Sequence, residues 1–94
     1  MLTEFEWDRR KAEANRRKHD VTFAEAMTVF DDREAKTTED PDHSHDEVRW
    51  LTLGRSKLGR ILIVAHTDRE SRTRIVNARK ATPTERKVYE EDIE

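Results

Sequence analysis

The sequence contains no cysteine, so disulfides and thiolate-held metals are excluded at the outset. No apolar run approaches the ~18 residues a membrane span needs. The longest, Ile61-Leu62-Ile63-Val64-Ala65, suits a buried strand. Internal repeats and low-complexity segments are lacking as well. The opening residues, Met1-Leu2-Thr3-Glu4-Phe5-Glu6, carry neither the basic nor the apolar region of a signal peptide, so a cytoplasmic protein is expected. Apolar residues are scarce: 33% of 94 residues are hydrophobic and 43% are charged. So heavy a charge load can leave a chain disordered, because little burial offsets chain entropy. Here the apolar positions are patterned rather than scattered, which argues for one folded domain over residues 1–94.

A net charge of −2 does not by itself suggest a nucleic-acid binder. Its distribution is more informative. Asp31 to Glu47 holds eight acidic and two basic residues, and Arg49 to Lys80 holds nine basic and two acidic. From Glu85 to Glu94, five acids stand against Arg86 and Lys87. A basic block between acidic flanks suits a phosphate-binding face on a protein that also meets a basic partner. A mixed, solvated surface is the alternative.

Leu2 to Trp7 alternates as a short strand with Phe5 and Trp7 on one face. Asp8 is a helix N-cap, and a polar helix runs from Arg9 to Lys18 with Asp8, Ala12, Asn15 and His19 on one side. Thr22 and Glu25 form a capping box ahead of Phe23, Ala26, Met27 and Phe30 at amphipathic helical spacing; Asp31-Asp32 ends this helix. A brief strand over 35–38 leads into the turn Glu39-Asp40-Pro41-Asp42. Strands follow over 48–53 and 60–66, separated by a glycine-bracketed loop over 54–59, and a third over 73–79 returns antiparallel after a turn over 68–72. Thr82-Pro83-Thr84-Glu85 then places a cap, a first-turn proline and a capping-box glutamate ahead of a helix to Asp92, with Val88, Tyr89 and Ile93 as its apolar face. The expected fold is therefore α+β: a short N-terminal strand, two helices, an antiparallel sheet of three to four strands and a C-terminal helix.

Three groups could carry chemistry. Lys18-His19 ends the first helix, where the imidazole, with an ordinary pKa near ~6.5, is either an acid–base group or part of a basic pair facing the helix dipole. In His43-Ser44-His45-Asp46-Glu47, an extended chain would point His43, His45 and Glu47 the same way. That segment reads as a metal site, as a source of a proton-transfer group, or as a solvated loop. Arg60, Arg69, Arg74 and Arg79 form the third group, either phosphate forks or partners for nearby acids. Strand parity puts Arg74 and Arg79 on opposite faces unless a bulge intervenes. Cleaving RNA without metal needs a base for the 2′-hydroxyl, an acid for the leaving 5′-oxygen and cations for the phosphorane-like transition state. His, Glu, Lys and Arg suffice for that.

Phe5-Glu6-Trp7-Asp8, Lys11-Ala12, Asn15, Lys18-His19, Val21-x-Phe23, Glu25-Ala26 and Val29-Phe30 resemble the opening of a BrnT-family toxin. His43-Ser44-x-x-Glu47-x-Arg49, Gly54-Arg55-Ser56, Gly59-Arg60, Leu62-x-Val64, Thr67-x-Arg69 and Arg74-Ile75 continue the likeness. Ala78-Arg79-x-Ala81-Thr82, Glu85-Arg86 and Tyr89-Glu90 extend it over nearly the whole chain. The resemblance implies a compact RelE-like domain and the toxin of a type II toxin–antitoxin module, an endoribonuclease acting without metal or cofactor. Its implied partners are RNA and a DNA-binding BrnA-like antitoxin, with which it would repress its own operon; no membrane is involved. Carried over by position, Lys18, His19, His43, Glu47, Arg69 and Arg79 are expected to be catalytic, and Arg60 and Tyr89 to contact substrate. Glu47 or His19 would be the base, His43 or His19 the acid, and Lys18, Arg69 and Arg79 the phosphate clamp. Asp20 stands where the family usually has glycine, Asn77 where it has serine and Val76 where it has isoleucine, while His45 lies outside the motif. A non-catalytic module that partners a DNA-binding repressor is the competing reading.

Overall fold

Asp8 accepts the Lys11 amide at 2.9 Å and opens helix α1 (Arg9–His19). Arg16, Arg17, Lys18 and His19 crowd its last turn, where cations suit the helix dipole. Asp20 closes it at φ 58°, its amide donating to the Arg16 carbonyl at 2.9 Å. This is the left-handed cap that usually takes glycine, and aspartate is among the few other residues that adopt it readily. Thr22 then accepts the Glu25 amide at 3.0 Å and starts α2 (Phe23–Thr28), which tightens into a 3-10 turn over Val29–Asp31. Only half of that expected capping box forms, because the Glu25 carboxylate turns instead to Ser56 and Arg60.

A computed structural model describes residues 4–91 and shows an α+β fold built on a five-stranded mixed sheet with three helices. The strands are β1 (Glu4–Glu6), β2 (Lys36–Glu39), β3 (Trp50–Arg55), β4 (Ile61–Arg69) and β5 (Arg72–Lys80), in the order β1-β5-β4-β3-β2. Helix α3 (Pro83–Glu91) follows, with its capping box complete: the Thr82 amide donates to Glu85 and the Glu85 amide to Thr82. No helix among the described residues is long and apolar enough to cross a membrane. Leu2 and Thr3 of the expected first strand, and Asp92 and Ile93 of the expected last helix, lie outside the described residues.

The sheet corrects the expectation of three to four antiparallel strands. β1 joins as a fifth strand, parallel to β5, in the register Glu4↔Arg72, Phe5↔Thr73 and Glu6↔Arg74. Phe5 packs on Phe30 with ring centroids 5.1 Å apart, while Glu6 pairs with Arg74 at 2.9 Å. These partners are distant in sequence, so no local pattern signals the pairing. The expected 54–59 loop also shortens, since Gly54 and Arg55 belong to β3. A Cβ on Gly54 would lie 2.8 Å from Val29 Cγ1, so only glycine lets β3 lie against the 3-10 turn here. β4 and β5 run further than expected, leaving only Glu70 and Ser71 between them, with Glu70 at φ 54°.

One sheet face is covered by α1, α2 and the 3-10 turn: Val21, Phe23, Ala26 and Val29 bury against Leu62, Val64, Ile75 and Ala78. The opposite face is covered at one end by α3, where Tyr89 packs with Leu53, Ile61 and Ile63. Beyond α3 that face carries a cleft, and Ala65 and Thr67 on it are still buried.

Candidate active site

A β-bulge in β5 shapes that second face. Ala65 pairs with Asn77 and His66 with Ile75, so Val76 is an extra residue that no β4 residue opposes. Ile75 and Ala78, three apart, therefore both point into the helix-covered core, and residues on either side shift phase. Arg72, Arg74, Asn77 and Arg79 consequently share the outer face. One inserted residue thus brings Arg74 and Arg79, which unbroken strand parity would separate, to the same face.

Asp40, His43, Arg49, Leu51, Ile63, Ala65, Asn77 and Arg79 are among the residues lining a cleft of about 510 Å³ on this face. Glu85 holds Arg79 end-on, accepting from Nη1 at 2.8 Å and Nη2 at 2.9 Å; Nη1 also donates to the Lys80 carbonyl at 3.3 Å. The Nε–H and the second Nη2–H, which form the side-on fork, have no partner among the described residues. Arg79 thus combines a fixed guanidinium with an open, phosphate-shaped edge. The Arg79 guanidinium in turn holds the Glu85 carboxyl down at about 2.

On the β3 side, Asp40 is buried and its carboxylate meets His43 Nδ1 at 2.8 Å, which fixes the ring while the imidazole stays exposed. Arg49 lines the same cleft, and its guanidinium has no side-chain partner among the described residues. Within His43-Ser44-x-x-Glu47-x-Arg49 nothing local marks Arg49 as functional; only its place on the cleft wall singles it out. On the other side of β5, a smaller recess of about 180 Å³ is lined by Lys11, Lys18, His19, Val76 and Asn77 among others, sharing the last two with the cleft. Burial, with Lys18 and then Arg79 nearby, lowers the His19 pKa and keeps its imidazole neutral. Asn15 sets this arrangement: its amide donates to the Ala78 carbonyl at 2.8 Å and to Val21 at 3.0 Å, and its carbonyl accepts the Ala78 amide at 3.1 Å. It pairs with β5 as a neighbouring strand would, just beyond where β1 ends.

A family model described as the ribonuclease toxin BrnT, of type II toxin–antitoxin systems, matches residues 7–85. The chain belongs to the BrnT family. A similar solved structure is that of the Brucella abortus ribonuclease toxin BrnT, with 20% identity and a TM-score of 0.68, covering 86% of this chain and 99% of that one. At that identity the likeness speaks for the fold. No curated protein sequence matches significantly.

In this BrnT-family chain, the two departures at Val76 and Asn77 fall on the bulge itself. The expected site residues separate into three sets. Lys18, His19, His43 and Arg79 gather about the cleft and its adjoining recess. Arg69 and Glu47 lie together on a bidentate ion pair at 2.8 and 2.9 Å, toward the far end of β4 on the same face. That pair lowers the Glu47 pKa, which makes its carboxylate a poor base. Arg60 and Tyr89 are not brought to the cleft. Arg60 Nε donates to Glu25 at 2.9 Å and Nη2 donates to the Asp20 carbonyl at 2.8 Å. Tyr89 is 2% exposed, and its hydroxyl donates to Asp32 at 2.6 Å, because the apolar face of α3 must bury. His43 and Glu47 turn to Asp40 and Arg69 respectively, so the shared face expected of an extended His43–Glu47 segment does not form. No three metal-ligating side chains come together among the described residues.

Proposed function

We propose that this BrnT-family protein is the endoribonuclease of a type II toxin–antitoxin module and cleaves RNA by metal-independent acid–base transfer in the cleft over Arg79. The observation that carries this reading is the arginine whose side-on fork is open, flanked by imidazoles from two directions. Neutral His19 takes the 2′-hydroxyl proton, and the resulting oxygen attacks phosphorus. His43, steered by Asp40, gives a proton to the departing 5′-oxygen, leaving a 2′,3′-cyclic phosphate and a 5′-hydroxyl. Arg79, Arg49 and Lys18 hold the phosphate oxygens as charge builds on them, while Arg69 and Glu47 extend the substrate-facing surface. Fixed cations of this kind contribute about 10²–10³-fold to rate.

Purified protein incubated with RNA and EDTA tests the proposal. Cleavage is expected to persist, and Arg79→Ala to reduce it by about 10²-fold or more with the circular dichroism spectrum unchanged. RNA cleavage that requires added divalent metal would overturn the acid–base assignment. The domain is read as RelE-like, and its implied partner is a BrnA-like DNA-binding antitoxin that joins it in repressing their operon. The exposed acids Asp42 and Asp46, on the segment that carries His43, are the docking face for such a basic partner. Association is then expected to weaken as salt rises; an affinity constant from low to high salt would count against this face.

A further inference from the structure

We propose that the recess between α1 and the β5 bulge is a second phosphate subsite, in which Lys11 holds the phosphodiester next to the scissile one. The inference rests on the reading of the Arg79 cleft as the cleavage site and extends it to the path of the RNA strand.

The ion pairs on the outer sheet face support it. Arg69 is matched by Glu47, Arg72 by Glu4 and Glu6, Arg74 by Glu6, and Arg79 by Glu85. Much of the positive charge of that face is therefore already neutralised. The recess differs. No carboxylate lines it, and neither Lys11 nor Lys18 has an ion-pair partner among the described residues. Both side chains are exposed on α1, a helix that carries six Lys or Arg between residues 9 and 18 against the single acid Glu13.

The recess is also continuous with the cleft. Cleft and recess meet at Val76 and Asn77, so a strand leaving the Arg79 fork crosses the bulge and enters the recess without passing over another element. Asn77 and Arg79 are about 6.8 Å apart along one strand. Lys11 and Lys18 lie two turns apart on one helix face, about 10.5 Å along its axis. Lys18 adjoins His19, the base of the proposed cleavage, and so is placed with the scissile phosphate; Lys11, two turns back along the helix, is placed to meet the next. Asn77, whose side-chain amide has no partner among the described residues, lies between them and can donate to the intervening sugar or base.

The test compares substrates with one phosphate and with several. A single-stranded oligoribonucleotide methylated at every 2′-oxygen binds without being cleaved and reports affinity; a dinucleotide reports cleavage at one phosphate. Lys11→Ala is expected to weaken oligonucleotide binding several-fold and to lower the slope of log affinity against log salt by about 0.7, the loss of one single-strand phosphate contact. Dinucleotide cleavage is expected to be unchanged, and Lys57→Ala, on a distant exposed loop, to change neither. Alanine at an exposed helix position preserves folding, and Lys11→Glu should deepen the binding loss. An unchanged slope in both Lys11 variants overturns the subsite, as does equal loss on dinucleotide and oligonucleotide. Displacement of the oligonucleotide by poly-glutamate at matched charge would also overturn it, marking the recess as a docking patch for acidic protein. If Arg79→Ala leaves dinucleotide cleavage intact, the active-site reading fails instead, whatever Lys11 does.

Discussion

Glu85 serves two structures at once. It closes the capping box of α3 by accepting the Thr82 amide at 2.8 Å, and it grips Arg79 through both terminal nitrogens. Glu85→Gln keeps the shape but loses the charge, so the guanidinium should be held less firmly and RNA cleavage should fall. Thr82→Ala removes one cap bond, to the Glu85 amide, and leaves Arg79 gripped. A cleavage loss confined to Glu85→Gln would tie Glu85 to Arg79 rather than to helix stability. Because the folded Glu85 carboxyl titrates at about 2, below its ordinary 4.5, its stabilisation is complete above 4.5 and disappears as the pH falls toward 2. Thermal melts across that acid window should be flatter for Glu85→Gln than for the parent. Arg60 makes the opposite kind of test. Glu25 is buried and depends on Arg60 and Ser56, so Arg60→Ala strands a buried carboxylate at a cost of about 3 kcal/mol. The folded fraction should then cleave RNA with unchanged KM, whereas a raised KM would restore Arg60 to the substrate.

At the scale of elements, the position of α1 relative to β5 depends on Asn15, which is 6% exposed and makes three hydrogen bonds to backbone. Asn15→Leu fills the space but leaves the Ala78 amide and carbonyl and the Val21 carbonyl unpaired, at a cost of about 1–3 kcal/mol each. We expect a lowered melting temperature together with a lowered kcat, since Lys18 and His19 ride on the same helix. Stability falling without any change in kcat would separate the helix from catalysis. Asn15 also illustrates what sequence could and could not disclose. Asp8, Thr22 and Thr82 were readable as caps because a cap acts within one turn, and the β3–β4–β5 meander was readable from alternation and short turns. The Asn15 latch spans 63 positions, and the parallel β1–β5 pairing spans even more; neither leaves a local trace. The bulge was invisible for a different reason, since one unopposed residue looks like any other in a strand. It nevertheless decides which arginines share a face. Tyr89 and Arg60 were assigned to substrate by residue type and position in a motif, which do not reveal that one is buried and the other held by a carboxylate.

Across the whole molecule, the two sheet faces divide the titrating groups. His43 stands at the cleft and His19 at the recess beside β5, while His66 is sealed under the helices at 4% exposure, with the Phe30 ring edge-on at 4.9 Å. A polar ladder crosses the sheet through it. Thr37 meets Thr52 at 2.8 Å, Thr52 meets His66 Nε2 at 2.8 Å, and Thr73 donates to Asp68 at 3.3 Å, beside His66 Nδ1. Burial lowers the His66 pKa, and the Asp68 carboxylate, 3.4 Å from Nδ1, only partly offsets it. The ring is therefore neutral in the fold but titrates near the ordinary ~6.5 once unfolded, so the unfolded chain binds the extra proton more readily. Stability is then greatest above that value and declines as pH falls through it. Melting temperatures taken from about pH 7.5 to about pH 5.5 at constant salt should drop, bracketing the ~6.5 of an unperturbed imidazole. His66→Gln, which can still bond Thr52, should be less stable yet lose most of that pH dependence; the part that remains belongs to His19, whose pKa burial also lowers. If His66→Gln melts with the parent's full slope, the sealed imidazole is not the group that acid reaches, and the ladder across the sheet does not link stability to pH.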